Sequence, residues 1–372
     1  MNCYISMHSP NTAKRHVDEL MGRMGFTDWA VGTGRGKVAT FFRKLFSMVN
    51  LLLKLKRGDV LVIQYPFKKF FVIQCNIARL KGAKTVTLIH DLGTFRRRKL
   101  TAEKEVKRLS HTDVIIVHNQ CMNDWLTEHG CRVPLVNLDI FDYLSTEEPL
   151  TLNPQLSTLN PQPSTLNSQL STVNSSLPPG GVGGGSHLPT IAFAGGISQR
   201  KTGFLYQVDG VLDGCHFDLY GAGLIPGTER EWRNTTYHGQ IDSDEFIRTT
   251  TADWGLVWDG DSIDGCSGTW GSYLRINNPH KASFCLRAGL PVIVWKESAM
   301  APFITSQRVG ITVDSLRELP ERLRHISQTE YDGYKRAAMA MKDRLNQGFY
   351  FRKAFESALQ LLGRVRSLEL RG

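Results

Sequence analysis

The chain has 372 residues, 41% hydrophobic and 22% charged. At roughly 100–200 residues per domain it predicts two or three folded units, and its balance excludes disorder throughout. Its net charge of +10 is unevenly placed, with 23 Lys and Arg against 14 Asp and Glu in residues 1–150, none in 151–186, and 22 against 21 in 187–372. A basic first part suits an anionic partner such as phospholipid, a diphosphate-linked acceptor or nucleic acid, and is equally the pattern of a solvated face.

Residues 2–7 read as a short strand and 13–24 as a helix with Val17, Leu20, Met21 and Met24 on one face. The turn between them, Ser9-Pro-Asn-Thr-Ala-Lys14, offers Asn11 or Thr12 as helix cap. Residues 35–57 are apolar with basic ends, which fits a core helix or one resting on an anionic membrane surface. Residues 59–64, 85–90 and 113–118 are continuous β-branched runs, the mark of strands buried on both faces of a parallel sheet. Helices at 67–81, 102–109 and 120–129 complete an alternating βαβ pattern.

Residues 151–186 then change composition. Thr151-Leu-Asn-Pro-Gln-Leu-Ser157 repeats with variations every seven residues, and Pro179-Gly-Gly-Val-Gly-Gly-Gly-Ser186 follows. The prolines break a helix and the glycines make a flexible tether, so 151–187 reads as a disordered linker. Beyond it the pattern resumes, with strands at 190–194, 216–220, 236–238, 254–258, 291–295 and 310–313 and helices at 242–249 and 279–288. A last helical stretch, 330–362, is long enough to return to the first body. The expected architecture is therefore α/β, with two Rossmann-like bodies facing a cleft, at 1–150 and 188–345, and a helical tail at 346–372 that packs back on the first.

No apolar run approaches the roughly 20 residues of a membrane-spanning helix. The first residues lack a basic region, an apolar core and a cleavage site, so a cytoplasmic protein is expected. Seven cysteines without C-x-x-C spacing read as reduced and mostly buried.

The most informative stretch is Tyr273-Leu-Arg-Ile-Asn-Asn-Pro-His-Lys-Ala-Ser283. Asn278 is expected to cap a helix that starts at Pro279 and stops before Gly289. Cations at His280 and Lys281, beside the positive end of the helix dipole, make sense where an anion such as a diphosphate offsets them. Glycine turns follow three strands of the same body. They let backbone approach a ligand, as at Gly196, with Ser198, Arg200 and Lys201 placed for phosphate contacts, although tight turns explain each as well. Tyr220 reads as a stacking surface for a base or as a core aromatic. Asp259 and Asp261 read as a metal pair, as sugar-binding carboxylates or as loop caps. With a basic phosphate site available, metal-independent binding without a cofactor is favoured. His90 and Asp91, ending a central strand, are candidates for general base. Arg96-Arg-Arg-Lys99 reads as a further anion contact or a solvated loop.

Leu88-Ile-His-Asp-Leu92, Phe193-Ala-Gly-Gly196, Asp218-Leu-Tyr-Gly-Ala-Gly223, Tyr237-His-Gly239 and above all 273–283 with Ala288-Gly-Leu-Pro-Val-Ile-Val-Trp295 carry a resemblance. The chain resembles the bacterial GT-B glycosyltransferases of the β-1,6-galactofuranosyltransferase and streptococcal adhesin glucosyltransferase 3-like group. The resemblance implies a nucleotide-sugar donor, usually a UDP-hexose, held by the C-terminal body. It implies a glycan, lipid-linked or protein-linked acceptor approached from the N-terminal body. Asn278 and Lys281 then match donor-phosphate positions, Tyr220, Arg200 and Lys201 match donor contacts, and Thr12 lies in the loop that reaches the donor. The linker is not part of that pattern, and the first loop lacks its glycine. An epimerase or phosphorylase with the same two-body plan is the alternative. A nucleic-acid binder leaves the Asn-Pro-His-Lys helix start unexplained.

Overall fold

The computed structural model describes residues 1–6, 8–32, 37–67, 70–96, 100–149 and 188–369. The expected linker at 151–187, the end of the first predicted strand at Met7 and residues 97–99 of the arginine run lie outside the described residues.

Two parallel six-stranded sheets form. The first contains β1 (Asn2–Tyr4), β2 (Thr27–Asp28), β3 (Val60–Tyr65), β4 (Lys84–Ile89), β5 (Val114–Val117) and β6 (Leu135–Asn137), in the order β2-β1-β3-β4-β5-β6. The second contains β7 (Thr190–Ala194), β8 (His216–Tyr220), β9 (Thr235–Gly239), β10 (Trp254–Val257), β11 (Val292–Trp295) and β12 (Gly310–Val313), in the order β12-β11-β10-β7-β8-β9. Alternate residues of the β-branched runs enter different cores. Val62, Val86, Leu88, Val114 and Ile116 join one apolar cluster, and Leu61, Ile63, Ile115 and Val117 join another on the opposite face. Burial on both faces is why these runs show no polar alternation. Strand order reverses between β1 and β3 and between β7 and β10, and such switch points open a crevice at the carboxyl ends of the strands. His90, His118, Gly195 and Asp259 all follow those ends.

The C-terminal segment departs from the single helix expected over 330–362. Helix Gln328–Asn346 stops, and a second helix runs Phe349–Glu369. Gly348 sits between them at φ 72°, a left-handed conformation that ends a helix and favours glycine. The second helix packs on β4, β5 and β6 of the first sheet. Its start is anchored there by buried Asp142, whose carboxylate accepts from the N–H groups of Tyr350 (3.1 Å) and Phe351 (2.7 Å). One apolar cluster runs from Val86 and Ile116 through Phe351 and Phe355 to Phe284, Leu286 and Ala338 of the second body. All seven cysteines are unpaired, and six of them are buried.

Candidate active site

The second body supplies a basic helix start. Helix His280–Arg287 begins one residue later than expected, with Pro279 in the cap position and no side-chain cap hydrogen bond. Asn278 is therefore not the cap. Its side chain crosses to the first body, donating to the carbonyls of His118 (2.7 Å) and Asp139 (2.8 Å) and accepting from Asn119 Nδ2 (2.6 Å). Asn278 N–H also donates to His118 Nδ1 at 2.9 Å. The local signal was misleading because an asparagine before a proline looks the same whether its oxygen serves its own helix or another body.

Lys281 has an anion beside it within the protein. Its Nζ donates to Asp259 Oδ1 and to the Trp258 carbonyl, both at 2.7 Å, and lies 4.3 Å from the centre of the Phe193 ring. Burial lowers its pKa, and Asp259 opposes that shift. Lys201 Nζ approaches the same Asp259 oxygen at 3.9 Å, so one buried carboxylate faces two lysines. Asp261 does not join Asp259 there, and accepts instead from Ser267 Oγ in the following loop. A Cβ at Gly195 would lie 3.6 Å from Lys281 Cδ, and Gly196 beside it is exposed. A Cβ at Gly221 would lie 1.9 Å from the Gly195 carbonyl oxygen, so only glycine lets these two turns meet. Tyr220 stacks on His238 with ring centres 4.5 Å apart and packs edge-on against Phe246 at 5.0 Å. Arg200 is exposed on the short helix Gln199–Thr202.

The first body supplies His90, which is 8% exposed. Its orientation is set by a relay. Asp18 Oδ1 accepts from Gln64 Nε2 at 2.6 Å, which turns Gln64 Oε1 towards His90 Nε2 at 2.7 Å. A neutral ring donating there keeps its lone pair on Nδ1. Asp91 is half-buried. Thr12 is the first residue of helix Thr12–Arg23, whose cap is Asn11, accepting from Lys14 N–H at 3.3 Å. Lys14, in that first turn, is buried and acts electrostatically on His90.

Phe141 joins the two sides. His90 stacks on its ring at 5.3 Å, His118 meets it edge-on at 4.9 Å, and His280 of the second body meets it edge-on at 6.1 Å. His280 also stacks on Tyr143 at 4.9 Å, and His16 meets Tyr143 edge-on at 4.8 Å. His280 Nε2 is buried without a hydrogen-bond partner among the described residues. His118 has the pattern that drew attention to His90, a histidine ending a buried strand and followed by a polar turn, and could have been found by it. His16, Gln64, Phe141 and Tyr143 carry no such signal, because only the fold brings them together.

Burial pushes His16 down to about 3 and His118 and His280 down to about 4, and it holds His90 well below the ordinary imidazole range. These rings are neutral in the folded protein and protonate first in the unfolded chain. Each therefore contributes stability that is present above about pH 6.5 and is lost as pH falls towards its folded value. Asp142, pushed up to about 7 by burial, works in the opposite direction over the same range. With His16, His118 and His280 on one side and Asp142 on the other, unfolding free energy is expected to fall by about 2 kcal/mol per pH unit from pH 6 to 4.5. Urea melts across that range check this, and a flat profile contradicts it.

Further hydrogen bonds cross the cleft. Tyr273 OH accepts from Leu92 N–H at 3.0 Å, Asn119 Nδ2 donates to the Ile276 carbonyl at 3.1 Å, and buried Arg287 donates to the Ser145 carbonyl at 3.1 Å. Two open parallel sheets face each other across a crevice, with a basic helix start on one side and an oriented histidine on the other. That is the arrangement of a GT-B glycosyltransferase. Residues 6–140 match the glucosyltransferase 3-like N-terminal domain and residues 191–358 the glucosyltransferase 3-like C-terminal domain. The chain belongs to the glucosyltransferase 3-like family and is a glycosyltransferase.

Among its relatives is the beta-1,6-galactofuranosyltransferase WbbI of Escherichia coli (strain K12), 29% identical over 326 residues and 85% of each chain. Glucosyltransferase 3 of Streptococcus gordonii is 26% identical over 365 residues and 93% of each chain. Two solved structures also align. The glycosyltransferase SnogD from Streptomyces nogalater is 13% identical, covering 94% of this chain and 98% of its own, with a TM-score of 0.35. MurG of Acinetobacter baumannii is 10% identical, covering 93% and 94%, with a TM-score of 0.37.

Proposed function

We propose that the enzyme transfers a hexose, galactofuranose or glucose, from a UDP-sugar to a glycan, lipid-linked or protein-linked acceptor during assembly of a cell-surface polysaccharide or glycoprotein. The named activities of the two relatives support the choice of sugars. Residues 188–345 hold the donor, 1–150 approach the acceptor, and the reaction runs in the cytoplasm with peripheral contact at the inner face of the membrane. The observation that carries the reading is the placement of the Lys281 helix start and of His90 around one cluster centred on Phe141, a cation for the departing diphosphate on one side and a neutral base on the other.

In this reading the free N–H groups of helix His280–Arg287 and the Lys281 ammonium stabilise negative charge as the sugar leaves the nucleoside diphosphate. Lys201 and Arg200 extend the same positive field. His90 Nδ1 takes the proton of the attacking acceptor hydroxyl if the transfer inverts, with Asp91 as the alternative base. Asp259 already faces Lys281 and Lys201, so no metal is needed to offset it, and binding is metal-independent.

Thermal unfolding with UDP, GDP, UDP-glucose, UDP-galactose and UDP-galactofuranose tests the donor site, because a ligand that binds only the folded state stabilises it. At a hundredfold excess over Kd the gain is about 2.7 kcal/mol. A UDP-selective rise in Tm that persists in EDTA is expected. No shift with any nucleotide overturns the donor assignment, and loss of the shift in EDTA overturns metal independence.

A further inference from the structure

Helix Lys37–Lys54 has two apolar faces, and the fold covers only one. Met48, Leu51 and, just past its end, Leu55 are buried against the first sheet, and Ser47 is buried as well. The opposite stripe, Phe42, Leu45, Phe46, Val49 and Leu53, is exposed, with Phe46 at 56% and Leu53 at 75%. Of the 14 large apolar side chains exposed among the described residues, nine lie on this helix and on its packing neighbour, helix Phe70–Leu80, where Leu80 is 77% exposed. A helix apolar all round is normally enclosed by protein or lipid, and scattered single exposures do not cluster in this way. Rotation does not hide the outer stripe, because the helix is pinned. Ser47 Oγ donates to the Arg43 carbonyl at 2.8 Å and accepts from Val31 N–H at 3.0 Å, and Asn50 Nδ2 donates to the Trp29 carbonyl at 3.1 Å.

Charge decides what covers the face. From residue 29 to residue 90 the sequence holds 12 Lys and Arg and one carboxylate, Asp59. That carboxylate is already bonded to the Met1 amino group at 3.0 Å. A second copy of this chain docked face to face would set one basic surface against another, which is unfavourable. An anionic partner gains from the same charges. We infer that the outer face of helix Lys37–Lys54, with the edge of helix Phe70–Leu80, docks on the headgroup layer of a bilayer containing anionic lipid. The Phe and Leu side chains enter the acyl boundary and the flanking Lys and Arg reach lipid phosphates. At 1.5 Å per residue the helix lies about 27 Å along the surface.

The orientation also matters for the acceptor. Lys44 Nζ lies 4.6 Å from the centre of the Phe67 ring, and Phe41 packs on Phe70 at 5.9 Å. Phe67 follows the carboxyl end of β3, so the first turns of the helix sit at the rim of the cleft, and a lipid-anchored acceptor is delivered on the His90 side. This deepens the peripheral-membrane part of the reading above and is independent of the donor site.

The test is co-sedimentation of the full chain with phosphatidylcholine vesicles, with and without phosphatidylglycerol, at low and high salt. Binding only to the anionic vesicles, reversed by salt, is expected. Lys54→Gln and Lys56→Gln should each weaken it about fivefold. Phe42→Ser with Phe46→Ser should weaken it at least tenfold while leaving the UDP-dependent Tm shift intact, which separates failure at this surface from failure of the donor site. Absence of vesicle binding overturns the inference, and equal binding to neutral vesicles overturns its anionic part. A concentration-dependent dimer that the Phe→Ser pair dissolves assigns the face to a second copy and overturns it as well.

Discussion

Lys281→Ala is expected to lower kcat/KM by about 10² to 10³, the range observed when one preorganised donor to developing negative charge is removed. Two effects combine, and they need separating. The ammonium belongs to the second residue of helix His280–Arg287, so its loss removes positive charge from the side of the leaving diphosphate. Its loss also leaves Asp259, 6% exposed, with Lys201 at 3.9 Å in place of Lys281 at 2.7 Å. Breaking a buried ion pair from one side typically costs about 3–5 kcal/mol of stability. Lys281→Met combined with Asp259→Asn removes both charges, and it should recover most of the lost stability while staying as inactive and as blind to UDP as the single variant. A folded Lys281→Ala enzyme with unchanged donor affinity and turnover excludes this helix start as the phosphate site.

His90→Ala is expected to lower kcat by about 10² to 10⁴, the usual contribution of a positioned general base, with the UDP-dependent Tm shift retained. The base must be unprotonated to act. Burial, with Lys14, His118 and His280 nearby, holds its pKa well below the ordinary imidazole value, so the acid limb of the kcat profile should lie below pH 6.5 and activity should fall as pH drops through it. Asp91→Asn distinguishes the neighbouring carboxylate. Full rate in both variants removes the base from this strand end.

Much of the plan was legible in the sequence, for physical reasons that can be named. Strands buried on both faces must be continuously apolar, and helices between them must be amphipathic, so 59–64, 85–90 and 113–118 announced a parallel sheet without any structure. Glycine turns at strand ends read as places where backbone approaches a ligand or turns tightly, and at Gly195 and Gly221 two such turns meet each other. The basic start of helix His280–Arg287 stood out because cations are unfavourable there. Asn278 was misread for the converse reason. Its spacing from the helix says nothing of the first body, whose carbonyls at His118 and Asp139 take its amide hydrogens. The single tail helix was misread because Gly348 is tolerable within a helical pattern and breaks it only when the chain must turn to reach the first sheet.

Composition, periodicity and turn chemistry are local, and they determined two α/β bodies, a basic first half and the residues at the strand ends. The rest depended on contacts between residues far apart in the chain. Only the tertiary structure decided that Asp259 faces Lys281 and Lys201, that Asp18 and Gln64 orient His90, and that four histidines from both bodies gather around Phe141 and Tyr143. It also decided which face of helix Lys37–Lys54 is buried, because a helix apolar on two sides has no preferred inner face until Ser47 and Asn50 find their partners in the loop that carries Trp29 and Val31.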